Sequence, residues 1–256
     1  MKAKTILLDV GGTFIKCSDN RQVAINSDGS REEIISALKE ALNGADTAAL
    51  AVPGPFDYNK GIFWMKHKFA ALYGEKFSDL FPGVTFHFVH DVVGMLLGEM
   101  ASGAGRGYKS VALVTLGTGL GFGIAVDGKV LLKEDGTPTE SAWDLPYKDG
   151  ILEDYISKRG FLRGYEGITV KQLAQMAKNG DEGARKRFLE TAEILAKNIS
   201  PMLEKYGVEC LLMGGQISRS FDLMEEALKE NLPKSCTVKC VSDFENATFN
   251  GLETLI

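Results

Sequence analysis

Histidine is scarce in this chain, with three copies in 256 residues, and its four cysteines are not arranged as ligand pairs. Cys17, Cys210, Cys236 and Cys240 include no C-x-x-C. With His67, His87 and His90 as the only imidazoles, a structural zinc site is not expected. Cys236 and Cys240 would share one face of a strand, which suits buried, reduced thiols. Positive charge is also in short supply. Lys and Arg number 29 against 34 Asp and Glu, a net charge of −5, so neither nucleic acid nor an anionic membrane is favoured as a partner. An anionic ligand must be held locally, by backbone N–H groups and single lysines.

Long apolar runs are missing too. The first one, Thr5 to Leu8, is stopped by Asp9 and is too short for a signal peptide. Nothing approaches the roughly twenty apolar residues of a membrane span, so a cytoplasmic location is expected. No G-x-x-x-x-G-K-[ST] occurs, which excludes a Walker loop. What is present is an ordinary globular composition, 45% hydrophobic and 25% charged, with 29 Gly and 7 Pro. That length and apolar content suit two compact lobes or one large one.

The chain reads as one pattern used twice. Thr5 to Val10 is a β-type run broken by Gly11-Gly12 and resumed through Phe14, Ile15 and Cys17, a hairpin. Ser30 with Glu33 is a capping box opening a helix to about Leu42. Ala48 to Val52 is a buried strand ended by Pro53-Gly54-Pro55, and the stretch to about Lys68 reads as irregular. Val84 to Val89 is a strand, and Asp91 opens a helix to about Ser102. Gly103-Ala104-Gly105-Arg106-Gly107 is the clearest linker. Beyond it Ser110 to Leu116, a glycine turn and Phe122 to Val126 repeat the hairpin, with a further turn at Asp127-Gly128. Helices are predicted over Ile151 to Arg159, Val170 to Lys178, Asp181 to Lys205 and Ile217 to Glu230, with strands at Val208 to Met213 and Val238 to Val241. A last helix begins near Asn246. This is an internally duplicated α/β lobe, with residues 1–105 and 106–244 as the copies and the 245–256 helix packing back on the first. A ligand is expected in the cleft between lobes.

Asp9-Val10-Gly11-Gly12-Thr13-Phe14-Ile15-Lys16 is the first candidate site. Glycines permit a tight turn whose amides can approach phosphate oxygens. Thr13 adds a hydroxyl and Lys16 a point charge, while Asp9 could hold Mg²⁺ directly or through water. A plain hairpin would need nothing more than Gly-Gly, so this motif alone does not decide. Gly117-Thr118-Gly119-Leu120-Gly121-Phe122-Gly123 is the second. A dinucleotide fingerprint requires a helix after its glycines; here a strand and turn follow, so it reads as a second phosphate-gripping hairpin with Thr118 as donor. Gly214-Gly215, ending a strand before a helix, would let a flat ring approach or set an anion at the helix N-terminus, although an ordinary turn would look the same. Asp91 suits an N-cap. At the C-terminal end of a strand it could also accept the proton of an attacking hydroxyl.

Together these residues resemble the ROK family of sugar kinases (repressors, open reading frames, kinases) over nearly the whole chain. Asp9 to Lys16 is similar to that family's D-x-G-G-T-x-x-K, and Pro53-Gly54-Pro55 with Asp57 to its P-G-P-x-D. His90-Asp91 with Leu97-Gly98-Glu99 resembles N-D-A-N-x-x-x-x-G-E, whose Asp is the catalytic base. Gly117 to Gly123 and Leu212 to Ser218 resemble the second phosphate and adenosine motifs, and Leu152-Glu153-Asp154-Tyr155 an L-E-x-Y helix start. The resemblance implies a two-lobed actin-like ATPase (ribonuclease H-like) α/β fold with a duplicated βββαβαβα-type lobe. It implies ATP with Mg²⁺ as donor, a sugar as acceptor and a possible homodimer.

It also implies Asp91 as base and nucleotide contacts from Asp9, Gly11, Gly12, Thr13, Lys16, Gly117, Thr118, Gly119, Gly214 and Gly215. Sugar contacts would come from Pro53, Gly54, Asp57, His67, His90 and Glu140. Departures are specific. Glu140-Ser141-Ala142-Trp143 stands where the family carries E-x-G-H, and its cysteine loop is absent, which implies a short, zinc-free variant. His90 replaces the usual Asn, and His67 stands near the position of another, in what otherwise reads as a basic loop. Zinc-free members include polyphosphate-dependent glucokinases, so polyphosphate stands as an alternative donor. The family's repressors carry a helix-turn-helix before the first phosphate strand; with that strand at Thr5, none is expected here.

Overall fold

A computed structural model describes residues 3–256. The first β-rich half shows why the glycine pairs matter. β1 (Thr5–Val10) and β2 (Phe14–Cys17) pair antiparallel, β3 (Gln22–Ala24) adds to β2, and β4 (Thr47–Val52) runs parallel to β1. The stretch to about Lys68, expected to be irregular, contains a small hairpin of β5 (Phe56–Asp57) and β6 (Ile62–Phe63). β7 (Thr85–His90) completes a sheet of order β3-β2-β1-β4-β7. Between these strands lie α1 (Arg31–Leu42) and short α2 (Phe77–Leu80), and α3 (Asp91–Ser102) follows β7. α1 starts where its capping box requires: Ser30 accepts from the Glu33 amide and Glu33 from the Ser30 amide. β4, buried on both faces, reads as a continuous apolar run because helices cover a parallel strand.

The second half repeats the order. β8 (Val111–Leu116), β9 (Leu120–Val126) and β10 (Lys129–Val130) form the antiparallel part. After the small pair β11 (Pro146–Tyr147) and β12 (Gly150–Ile151) come β13 (Cys210–Gly214), parallel to β8, and β14 (Thr237–Cys240). The sheet order β10-β9-β8-β13-β14 reproduces the first sheet position for position, so the duplication read from the sequence is present. The helical expectations are partly revised. α4 (Leu152–Ile156) and α5 (Lys158–Phe161) replace one continuous helix, because Ser157 is extended (φ −87°, ψ −176°). α6 (Val170–Lys178) and α7 (Glu182–Lys205) follow as expected. The helix expected over Ile217 to Glu230 is a kinked 3₁₀ segment, Ile217–Leu223, followed by α8 (Glu225–Asn231). α9 (Ala247–Glu253) closes the chain.

Contacts divide the described residues into two compact units. One holds the chain up to Ala101, with Leu132–Thr139 and Glu245–Ile256; the other holds Ser102–Leu131 and Glu140–Phe244. Leu132–Thr139, which the sequence reading counts with the second copy, is thus grouped with the first. There Asp135 accepts from the Tyr58 amide at 2.8 Å through its backbone oxygen. Each unit has its own apolar core, centred on residues such as Leu8, Ile34, Leu50 and Phe63 in the first and Val114, Phe161, Phe188 and Leu211 in the second. No helix among the described residues is long and apolar enough to cross a membrane.

Candidate active site

In the first unit the β1–β2 register sets Asp9 opposite Lys16. The Gly11 amide, expected to face phosphate, donates instead to Phe14 O at 3.0 Å and closes the hairpin. This is a correction with a simple cause: a turn this tight must satisfy its own first donor. The Gly12 and Thr13 amides have no backbone acceptor among the described residues, so they are the ones left for a ligand. Gly12 is fixed through its carbonyl, which accepts from Ser27 N at 3.0 Å. Asp9 is partly buried, and burial pushes its carboxyl up to about 6, with Lys16 lowering it and nearby Asp91 raising it. Lys16 lies 3.8 Å from Glu245, with both side chains well exposed.

Asp91 is the first residue of α3 rather than the residue before it, so its role is not that of an N-cap. Its Oδ1 lies 2.8 Å from His90 Nδ1 and accepts from Val92 N at 2.7 Å. Val92 N also comes within 3.3 Å of His90 Nδ1. The shorter approach to the carboxylate is the bond, which leaves Nδ1 to donate to Asp91. Surrounding protein opposes ionisation of Asp91, but His90, the Val92 amide and Lys68 outweigh it and hold the carboxyl below its ordinary value. Burial would lower His90, yet Asp91 raises it on balance.

That pair fixes a pH window for stability. His90 gains a partner, so its contribution is full below the ordinary imidazole value of 6.5 and is lost as pH rises through the raised folded value. Asp91's contribution is full above 3.8 and is lost as pH falls through its lowered folded value. His90→Gln is therefore expected to cost most stability between about pH 4 and 6.5 and progressively less above it. Urea midpoints across pH 4 to 9 check this; a pH-independent difference would contradict the pairing.

The Pro53-Gly54-Pro55 turn follows β4 and meets the same histidine. A side chain at Gly54 would come within 3.3 Å of Tyr58 Oη and 3.5 Å of the His90 ring. Tyr58 donates to Val52 O at 3.0 Å and its ring lies 5.8 Å from that of His90. Tyr58 thus joins Gly54, His90 and Asp91, a member the sequence reading missed because nothing in its spacing marks a buried tyrosine as anything but core. Asp57, expected near a sugar, is buried with its Oδ1 accepting from Asn59 N and Lys60 N at 3.2 and 2.8 Å. Its visible work is to shape the β5–β6 turn. His67 is exposed on the loop between buried Met65 and Phe69.

In the second unit, the Gly117 amide donates to Gly119 O at 3.0 Å, so it too is spent on its own turn. The amides of Thr118 and Gly119 have no backbone acceptor among the described residues. Open space surrounds Gly117 where a side chain would stand. Two groups brace this turn from below. Lys158 N donates to Gly117 O at 2.9 Å, the reason the α4–α5 helix breaks at Ser157. Glu153 accepts from Leu120 N at 2.9 Å while its other oxygen meets Arg159 at 2.9 Å. The sequence marked Glu153 only as a helix start.

A Cβ at Gly119 would lie 2.8 Å from Glu153 Oε2, so Gly119→Ala should displace that brace and cost about 1–2 kcal/mol of stability, as for loss of one hydrogen bond to a charged group. Urea unfolding checks this. Gly214 ends β13, and Gly215 (φ +80°) packs so closely on Leu116 that a Cβ would fall 2.4 Å from its carbonyl oxygen. The third turn thereby abuts the second. A kinked 3₁₀ segment, Ile217–Leu223, follows Gly215. Glu140, expected to touch a sugar, is engaged by Lys205 at 2.7 Å and by the Tyr206 hydroxyl; Trp143 beside it is exposed.

Among the described residues no group of three or more His, Cys, Asp or Glu gathers as a metal site. Mg²⁺ needs less from protein: one or two carboxylates, with phosphate oxygens and water completing the shell. Asp9 fits that demand, since its partly buried carboxylate is a hard oxygen donor near the end of β1, beside the first glycine turn.

Residues 6–250 match the sequence profile of the ROK family. The chain belongs to the ROK family. It is 24% identical to a glucokinase of Thermotoga maritima, covering 90% of this chain and 87% of that one. It is 25% identical to an N-acetyl-D-glucosamine kinase of Haemophilus influenzae, with 88% of each covered. A ROK family glucokinase from Streptomyces griseus, solved with glucose and AMPPNP, superposes with a TM-score of 0.80 at 21% identity over 99% of both chains. The fold of this ROK protein is therefore that of the actin-like ATPases. Its similarity is to sugar kinases as a class, because the relatives carry different acceptor names at comparable distance.

Proposed function

We propose that this protein is an ATP-dependent sugar kinase that phosphorylates a hydroxymethyl group of a hexose or hexose derivative. The observation that carries the reading is the Asp91 carboxylate, held ionised by His90 and lying close enough to Asp9 on the first glycine turn for the two charges to be felt. An ionised carboxylate can take the proton of an acceptor hydroxyl as that oxygen attacks the terminal phosphorus; the bond to the bridging oxygen breaks and ADP leaves with the electron pair. Gly54 and Tyr58, packed on the His90 that holds Asp91, would meet the acceptor. In the first unit Gly12 and Thr13 carry amides suited to phosphate oxygens; in the second, Thr118 and Gly119 carry another such pair, and Gly214-Gly215 is the turn suited to an adenosine. Asp9 would hold Mg²⁺, which when bound neutralises phosphate charge.

His90, where the family usually has Asn, and the internal engagement of Asp57 and Glu140 motivate leaving the acceptor broader than glucose. The test is an ADP-release screen over hexoses and N-acetylhexosamines with ATP, repeated with polyphosphate. A sugar-dependent release supports the kinase. Activity with polyphosphate alone would move the donor assignment, and nucleotide binding indifferent to every sugar would favour a non-catalytic binding protein.

A further inference from the structure

Lys68 lies in the loop from which sequence reasoning singled out His67, and the chain brings it to the first phosphate turn. Its Cδ and Cε both sit 3.8 Å from the position a Gly12 Cβ would occupy, so the lysine stem lies across that glycine. The placement is built. Gly12 O accepts from Ser27 N at 3.0 Å, and Ser27 O accepts from Phe69 N at 2.7 Å, tying the loop to the turn through one residue. Phe69 and Met65 anchor the loop in the core at 0% and 2% exposure. Phe69 holds a left-handed backbone (φ 51°), which a bulky residue adopts only when its surroundings fix it.

The two lysines of this region differ in what they face. Lys16 stands opposite Asp9 across the hairpin and lies 3.8 Å from Glu245. Lys68 is exposed and has no carboxylate within ion-pair distance among the described residues, while its charge is felt by Asp91. We infer that Lys68 is a catalytic cation that contacts the terminal phosphoryl group beside Gly12 and stabilises the charge on its oxygens during transfer to the acceptor. The inference rests on the kinase reading above. It gives that reading a full charge beside Gly12, where the turn's amides offer only partial charge.

Lys68→Met keeps the stem and removes the charge. In the full chain it is expected to lower kcat about 100-fold or more, with the acceptor KM within about threefold, and Lys68→Arg should recover part of the loss. Calorimetry gives a second readout that needs no turnover: Lys68→Met should weaken AMPPNP binding about tenfold while ADP binding changes less than twofold. Turnover of Lys68→Met within threefold of the parent would overturn the inference. Should the parent show no transfer to any sugar, the kinase reading fails by itself, and equal losses for AMPPNP and ADP would then overturn the role of Lys68.

Discussion

Asp91→Ala is expected to lower kcat about 10²–10⁴-fold, the usual weight of a positioned general base, while ATP affinity stays within about threefold. The separation follows from where the side chain stands. Asp91 begins α3, and its carboxylate is spent on His90 and Val92 with no contact to the amides of Gly12 or Thr13. Removing it should therefore leave the nucleotide side intact. The lowered carboxyl also predicts that Asp91 is ionised throughout the neutral range, so the parent's kcat should show no Asp91 titration between about pH 6 and 9.

Asp91→Asn is the sharper version, because it retains the shape and the acceptor for Val92 N while losing the capacity to take a proton. Both variants are measured by coupled ADP release with the best acceptor found, and by AMPPNP calorimetry. Undiminished sugar phosphorylation in either would remove Asp91 from the mechanism. A protein that only binds nucleotide or sugar would show no difference between Asn and the parent in either assay.

The repeated lobe was legible because its signals are local. Gly11-Gly12 and Gly117 to Gly121 each interrupt an apolar run and send it back, and Ser30 with Glu33 marks a helix start without reference to anything distant. Asp91 at a strand end followed by a helix is equally local. What could not be read depends on residues far apart in sequence. Glu140 meets Lys205 and Tyr206, 65 and 66 positions away, and no spacing rule reaches across α7. Glu153 under Leu120 and Lys158 under Gly117 are of the same kind; the second also explains why a stretch with helical periodicity breaks at Ser157. Lys68 and His67 are neighbours, and only the Ser27 bridge determines which of them meets Gly12. The amides of Gly11 and Gly117 show the converse. Glycine content identified the right turns, but closing a turn consumes one of its donors, and which one is a matter of geometry rather than composition.

Gly98→Ala is expected to destabilise the fold by about 3 kcal/mol or more, the upper end for overpacking, because the obstacle is backbone rather than a side chain that can swing away. α3 crosses α9 at this point. A Cβ at Gly98 would stand 1.9 Å from Ala247 O and 2.8 Å from Gly251 N, and one at Gly251 would meet Gly94 O at 1.8 Å. Relief would require the two helices to separate along their contact. Gly94→Ala on the same helix is the control: its Cβ would be 3.3 Å from Thr248 Cγ2, a methyl that can give slightly. Its crowding is offset by the gain in helix propensity of about 1 kcal/mol over glycine, so it should stay within about 1 kcal/mol of the parent. Urea unfolding of the two variants gives the comparison directly, and equal midpoints would mean that α3 and α9 are not locked together as described. The functional consequence runs along the helix. Asp91 is its first residue, so a displaced α3 shifts the base relative to Asp9. Under conditions where Gly98→Ala remains folded, kcat should fall more than nucleotide affinity, repeating in weaker form the separation expected for Asp91→Ala.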